Sequence, residues 1–232
     1  MKIKIFCDTA DYNLIKKLNN KKIVSGFTTN PSLMRLAGAK NYEKYAKKIL
    51  KVCKEKPISF EVFADNSEDM IRQGLLIRKW GKNVYVKIPV TNSKGIFSGE
   101  AIGYLSKKKT KLNITAVYSS EQTKKIIKKL DKNTQSIISI FAGRMADVGK
   151  DPISVFKKSV SLSKRYNKIK ILWASTREPY NMIQAKKIGC DIITMPVSII
   201  AKVEKFRKSF NSLTEETVKK FLIDSKNSNF KL

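Results

Sequence analysis

The sequence contains no histidine, which removes Ser-His-Asp and Cys-His catalysis, histidine metal sites and imidazole acid–base work in one step. Any chemistry must run on Lys, carboxylates, hydroxyls or a bound cofactor. Cysteine is scarce: Cys7, Cys53 and Cys190 form an odd set without CxxC spacing, so neither a disulfide framework nor a thiolate zinc site is expected. No apolar run approaches the ~20 residues needed to cross a bilayer. The start MKIKIFCD interrupts its apolar positions with Lys and Asp, unlike a signal peptide. A cytoplasmic chain with reduced thiols and no membrane partner is the expectation. Pro/Gly-rich hinges, low-complexity linkers and composition breaks are missing too, so residues 1–232 read as one domain with one sizeable core.

Acidic residues are few. Against 48 Lys and Arg stand 19 Asp and Glu, a formal net charge of +29. Dense positive charge attracts phosphate through Coulomb forces and counterion release, which makes a non-catalytic, basic nucleic-acid-binding barrel one reading. The excess, however, is nearly all Lys, spread as single residues and short runs such as Lys107 to Lys109 rather than gathered in a tail. Solvated helix faces explain that pattern better than a specific nucleic-acid footprint. What remains is an attraction for anionic substrates.

Eight short apolar, β-branched runs alternate with amphipathic stretches: KIKIFCD (2–8), IVSGFT (23–28), ISFEVFA (58–64), VYVKIPV (84–90), LNITAVY (112–118), SIISIFA (136–142), KIKILWAS (168–175) and CDIITMP (190–196). The stretches between them carry helix signals. Ser119 with Gln122 makes a capping box, Asp151 then Pro152 read as N-cap and N1, and Gly189 follows AKKI as a left-handed stop. Eight strands with helical crossovers predict a parallel sheet closed as a (β/α)8 TIM barrel. The competing arrangement, an open doubly wound sheet, has no GxGxxG after any strand to support it.

Alternation inside the runs separates two faces. Val84, Val86, Ile88 and Val90 share one, Tyr85, Lys87 and Pro89 the other. Because the aliphatic face of a barrel strand packs on the helices, Lys87 is expected in the lumen. By the same rule Ser59, Glu61 and Phe63 oppose Ile58, Phe60 and Val62, while Asn113 and Thr115 oppose Leu112, Ile114 and Ala116. Ser139 and Phe141 oppose Ile138, Ile140 and Ala142, and Phe6 and Asp8 oppose Ile5 and Cys7. Glu61 to Lys87, Lys87 to Asn113 and Asn113 to Ser139 are each 26 positions apart, one βα unit, which places them at similar heights. Polar residues near the carboxyl ends of barrel strands read as an active site.

A lysine amine is a nucleophile only when neutral, and a low-dielectric lumen disfavours the charged form. Lys87 is therefore the candidate for attack on a carbonyl, against the plainer reading of one more solvated lysine. Asp8 and Glu61 are the natural proton carriers, since carbinolamine formation, dehydration and C–C cleavage each move a proton. Their plainer readings are a helix cap in the DTAD turn for Asp8 and an exposed edge position for Glu61. TTNPS at 28–32, taken alone, is an ordinary polar turn with Pro fixing φ.

Together with VKIPVT, NITAVY, SIFAGR and WASTR, each at its own strand end, TTNPS makes the chain resemble the transaldolase family over nearly its whole length. The resemblance implies a class I mechanism without metal or other cofactor, in which Lys87 forms a Schiff base with a keto-sugar. Asp8 would handle the hydroxyl proton during retro-aldol cleavage, and Glu61 would work through a water positioned by Thr115. Asn30 and Asn113 match the asparagines that hold the dihydroxyacetone part, with Thr29 in the same motif as Asn30 and Ser139 on the same wall. Arg144, Ser175 and Arg177 match the phosphate site, where guanidinium forks suit phosphate oxygens.

Short family members include fructose-6-phosphate aldolases as well as transaldolases. The aldolases carry Gln where this chain has Glu61 and Tyr where it has Phe141, so the transaldolase reading is preferred. Thr176, where a bulkier residue is common, and the loop GRMADVGKDP are the departures, and they leave acceptor preference open. Phosphorylated sugars are the expected ligands. The resemblance also implies a ring-based homo-oligomer of the decamer kind. In SLTEETVKKFLIDSK (212–226), Leu213, Val218, Phe221 and Leu222 form an apolar stripe on a terminal helix, which either reaches a neighbouring copy or packs on its own barrel.

Overall fold

All eight apolar runs form strands in a computed structural model that describes residues 3–206 and 208–228. In chain order the elements are β1 (Lys4–Asp8), α1 (Tyr12–Asn19), β2 (Val24–Thr28), α2 (Pro31–Leu36), α3 (Tyr42–Val52), β3 (Ile58–Glu61), α4 (Ser67–Ile77), β4 (Val84–Pro89), α5 (Gly99–Lys107) and β5 (Leu112–Val117). Then follow α6 (Ser120–Lys129), β6 (Ser136–Phe141), α7 (Ala142–Ala146), α8 (Ile153–Ser163), β7 (Ile169–Ala174), α9 (Asn181–Ile188), β8 (Ile192–Met195), α10 (Val197–Val203) and α11 (Phe210–Asn227). Lys2, where the first run was expected to begin, lies outside the described residues. The strands pair in sequence order, all parallel, and β1 also pairs with β8, so the sheet closes into the expected (β/α)8 barrel. Among the described residues, no helix is long and apolar enough to cross a membrane.

Local chemistry sets the helix ends. Asp11, Asn30, Asn41, Asn66 and Ser119 each accept the N–H three residues on, and the Ser119–Gln122 capping box forms. Gly189 ends α9 at φ 90°, a conformation that favours glycine. One boundary differs from expectation. Asp151 reaches only two residues along, taking the Ile153 N–H at 2.9 Å, so Pro152 falls in the cap position and α8 starts at Ile153 rather than at Pro152.

Two apolar clusters divide the molecule. The larger lies between the outer strand faces and the helices and contains Val84, Val86, Ile88, Leu112, Ile114, Ile138 and Ile140, as the alternation predicts. The smaller fills the lumen: Phe6, Ile137, Leu172, Ala174 and Ile192, with Tyr85 and Phe141 against it. Two positions break the expected alternation. Ala116 adopts φ 57° where the β5–β6 register slips between Ile114 and Val117, so Val117 takes the outer-core place expected for Ala116. Phe63, expected inside, lies beyond the end of β3 and is 64% exposed, because the chain leaves the sheet after Glu61.

Gly26 shows how tightly the lumen is filled. It pairs with Phe6, and a Cβ there would lie 2.6–2.9 Å from three atoms of the Phe6 ring. Gly26→Ala is therefore expected to cost about 1–3 kcal/mol by overpacking, read as a lower urea midpoint at constant m-value. An unchanged midpoint would mean that the Phe6 ring yields freely and that the plug is loose.

Candidate active site

Above the apolar plug, the carboxyl-terminal half of the lumen is polar. Lys87 is buried at 7% exposure. Its Nζ lies 3.2 Å from Glu61 Oε2 and donates to the Thr29 carbonyl at 3.0 Å. Glu61, Lys87 and Asn113 are register partners across β3, β4 and β5. Ser139 stands two residues beyond Ile137, the register partner of Asn113, yet barrel stagger carries its hydroxyl to Asn113 Oδ1 at 2.7 Å. Asn113 Nδ2 in turn donates to Ser59 Oγ at 3.0 Å. This buried chain fixes the Asn113 amide beside Lys87, so the four residues at 26-residue spacing do meet on one wall.

Asp8 completes the group from β1. The Thr28 hydroxyl donates to Asp8 Oδ1 at 2.6 Å, and the Thr28 and Thr194 hydroxyls are 2.6 Å apart. Burial raises the Asp8 carboxyl above the usual carboxylate range, with the Thr28 hydrogen bond and the charge of Lys87 acting in the opposite direction. Asp8 is not a helix cap. Asp11 fills that place, taking the Leu14 N–H at 2.8 Å. Thr28 and Thr194 were not singled out in the sequence, because a threonine in a β-branched strand carries no signal of its own.

The remaining lumen candidates divide. Thr115, one step above the Lys87–Asn113 pair, is buried with a hydroxyl that has no hydrogen-bond partner among the described residues. Asn30 is half-buried and caps α2 through Oδ1, accepting from Leu33 N–H at 2.9 Å. Thr29 is fully buried, and its hydroxyl donates to the Ser59 carbonyl at 2.7 Å. Its main chain, rather than its side chain, reaches the lysine.

A second group sits where β6 and β7 end side by side at Phe141 and Ala174. The Arg144 guanidinium lies 5.7 Å from the centre of the Phe141 ring, which also meets Tyr118 edge-on at 5.8 Å. Arg177 is exposed and forks onto Asp147, with Nε to Oδ1 at 3.0 Å and a shorter bond from Nη2 to Oδ2. That bidentate bond holds the Asp147 carboxyl below its ordinary range and raises Arg177. Ser175 follows β7 at φ 60°. Helix α7 and the loop after β7 approach closely only because residue 143 is glycine: a Cβ there would lie 1.8 Å from the Ser175 carbonyl oxygen and 2.9 Å from Arg177 Cγ. Gly143 and Asp147 thus shape the arginine site without having been recognised in SIFAGRMAD. Thr176 turns away, donating to the Thr194 carbonyl at 2.7 Å.

A lumenal amine, two carboxylates, an oriented amide and two arginines at one rim make an arrangement suited to carbonyl chemistry on an anionic substrate. Comparisons with known proteins agree. The family model described as Transaldolase/Fructose-6-phosphate aldolase matches residues 5–232. The chain is 35% identical over 223 residues to the "Probable transaldolase" of Sulfurihydrogenibium sp., covering 96% of each chain. With the "Probable transaldolase" of Methanococcus maripaludis it shares 34% over 224 residues, covering 96% of this chain and 97% of the relative. For that of Thermoanaerobacter sp. the figures are 31% over 231 residues, 99% and 100%. Among solved structures, 3-hexulose-6-phosphate synthase from Salmonella typhimurium matches with a TM-score of 0.59 at 12% identity, over 87% of this chain and 91% of that one, a likeness of fold alone.

The raised Asp8 carboxyl carries a sign. Between its unfolded and folded values the folded chain binds more protons, so its contribution to stability falls as pH rises through that interval and stays low above it. Asp8→Asn keeps an oxygen for the Thr28 hydroxyl and removes the buried charge. The variant is expected to be more resistant to urea than wild type at about pH 8, with the gap closing toward about pH 4. A gap of opposite sign would show that the charged form is the one the fold favours.

Proposed function

The chain belongs to the transaldolase/fructose-6-phosphate aldolase family, and from that premise we propose that it is a transaldolase of class I. It transfers a dihydroxyacetone unit from a ketose phosphate, sedoheptulose 7-phosphate or fructose 6-phosphate, to an aldose phosphate, the exchange used in the pentose phosphate pathway. The observation that carries the reading is the buried Lys87 amine, 3.2 Å from Glu61 Oε2 in a lumen it shares with Asp8.

In this mechanism Lys87 sheds a proton before it attacks the C2 carbonyl, and Glu61 is the carboxylate in reach. Loss of water from the carbinolamine gives the Schiff base, with Glu61 exchanging protons through a water that the unpartnered Thr115 hydroxyl holds. Asp8 takes the C4 hydroxyl proton as the C3–C4 bond breaks, and the aldose phosphate leaves while the three-carbon unit stays on Lys87. Asn113, fixed by Ser139 and Ser59, hydrogen-bonds the hydroxyls of that unit, and Asn30 meets it from the β2 loop. Arg144, Arg177 and Ser175 take the phosphate, the Arg177 fork exchanging Asp147 for phosphate oxygens. No step calls for a metal.

The alternative is an aldolase that hydrolyses the intermediate and frees dihydroxyacetone. Phe141 offers no hydroxyl to the lumen, and Glu61 is an ionisable carrier where the aldolases have an amide, which favours transfer over release. Borohydride added with fructose 6-phosphate should inactivate the enzyme and add a sugar-derived mass to the Lys87 peptide, while EDTA leaves activity intact. Without borohydride, product should form rapidly only when erythrose 4-phosphate is present. Free dihydroxyacetone appearing at the same rate with and without acceptor would make the chain an aldolase, and chelation that abolishes activity would remove the Schiff-base mechanism.

Assembly as a homo-oligomeric ring, of the decamer kind, belongs to the same proposal. The barrel buries no residue of α11, whose Leu213, Val218, Phe221 and Leu222 are all exposed. An apolar groove lined by Ile3, Ile23, Met182, Ile183, Val203 and Phe206 runs along the barrel wall, and a helix from a second copy suits it. Sedimentation velocity should find a single large species that dissociates when residues 210–232 are deleted. A monomeric full-length chain would remove this part of the proposal.

A further inference from the structure

Strands β2 and β3 are joined by main-chain bonds in a regular series: Phe27 N–H donates to the Pro57 carbonyl at 2.8 Å, and Thr29 N–H to the Ser59 carbonyl at 3.2 Å. In a parallel ladder the next rung of that series runs from Glu61 N–H to the Thr29 carbonyl. The register instead ends at Thr28 and Ser59. Glu61 N–H donates to the Tyr42 hydroxyl at 2.9 Å, and the Thr29 carbonyl accepts Lys87 Nζ at 3.0 Å. Both groups of the missing rung are therefore satisfied, each by a side chain.

We propose that Tyr42 is a positioning residue for Lys87: by drawing the Glu61 amide out of the β2–β3 ladder, its hydroxyl frees the Thr29 carbonyl to hold the lysine amine beside the Glu61 carboxylate. Tyr42 acts through the backbone and is not needed at any reacting atom. A carbonyl oxygen can accept twice, but the ladder rung would also shift the Glu61 main chain, on which the 3.2 Å separation of Nζ and Oε2 depends. The role rests on the Schiff-base reading of Lys87.

The surroundings of Tyr42 suit the task. It is the first residue of α3, whose start is set by the Asn41 cap. Its ring meets Phe63 edge-on at 5.5 Å and Trp80 at 6.0 Å, and Trp80 packs on Phe60 at 5.8 Å. The hydroxyl is thereby aimed at the end of β3 by an aromatic cluster rather than by a flexible loop. Burial pushes the phenol well above its ordinary range, so the oxygen stays a neutral acceptor at any working pH. This also accounts for Phe63 outside the lumen: its ring braces Tyr42.

The test compares the rate of borohydride trapping at Lys87 with fructose 6-phosphate, and the kcat and KM for transfer, in the full chain and two variants. Tyr42→Phe keeps the ring and removes the acceptor, and should slow trapping and kcat by about tenfold or more with KM changed by less than about twofold. Trp80→Phe loosens the same cluster while leaving the hydroxyl, and should slow trapping far less than Tyr42→Phe. If Tyr42→Phe does not fold, 3,5-difluorotyrosine at position 42, which weakens the phenol oxygen as an acceptor, should again slow trapping. Wild-type trapping in the Tyr42 variants, or an equal loss in Trp80→Phe, would overturn the positioning role alone. A wild type that takes no label at Lys87 would overturn the Schiff-base reading and this role with it.

Discussion

An amine held out of water constrains this barrel more than any surface lysine does, and much of the site is arranged around it. An ammonium in the interior is tolerated only when paired and hydrogen-bonded, and removing one partner of such a pair costs on the order of 3–5 kcal/mol. Lys87 has the Glu61 carboxylate on one side and the Thr29 carbonyl on the other. Neither is incidental to the sheet. Glu61 is the register partner of Lys87, so the ion pair is built into the β3–β4 ladder, and the Thr29 carbonyl is available because the β2–β3 ladder stops one rung early. A site made of strand residues is placed by backbone hydrogen bonds, which hold tighter tolerances than loops.

The lumen separates two kinds of work. Its amino-terminal part is an apolar plug of Phe6, Ile137, Leu172 and Ile192, and its carboxyl-terminal part is a hydrogen-bonded wall of Ser59, Asn113 and Ser139 facing the Lys87–Glu61 pair. The plug closes the lumen beneath the amine with apolar side chains, so the local dielectric stays low on that side. Polar contacts that would be weak in water gain strength there. The arginine rim stands apart on α7 and the loop after β7, where exchange of Asp147 for another anion is compatible with solvent.

Much of this arrangement was legible because period-two alternation is a strong signal when the outer face is uniformly aliphatic. Val84, Val86 and Ile88 could face only the helices, which left Lys87 for the lumen, and the 26-residue spacing carried Glu61, Asn113 and Ser139 with it. What stayed hidden depends on tertiary contact rather than on pattern. Gly143 matters because the Ser175 carbonyl lies where its Cβ would be, and Thr28 because it bridges Asp8 and Thr194 across the closing seam between β8 and β1. Alternation also misplaced Phe63 and Ala116, since periodicity cannot register where a strand ends or bulges. The Asp8 cap alternative failed for a local reason: Asp11, in the same DTAD turn, is the residue three positions before Leu14, whose N–H it takes.

The charge of the chain bears on the site in an unequal way. Surface lysines are exposed and screened beyond about 8–10 Å at physiological salt, so they raise the local concentration of anions without choosing an orientation. Orientation requires a fixed guanidinium or a buried amine. In a chain with only 19 acidic residues, Asp8 and Glu61 lie in the lumen with Lys87, and Asp147 lies on Arg177. Those carboxylates keep the mouth from being uniformly cationic, which would bind any anion and position none. The general field gathers anions of any shape, while this local balance leaves the lysine a carboxylate at 3.2 Å and the arginine a fork already engaged by Asp147.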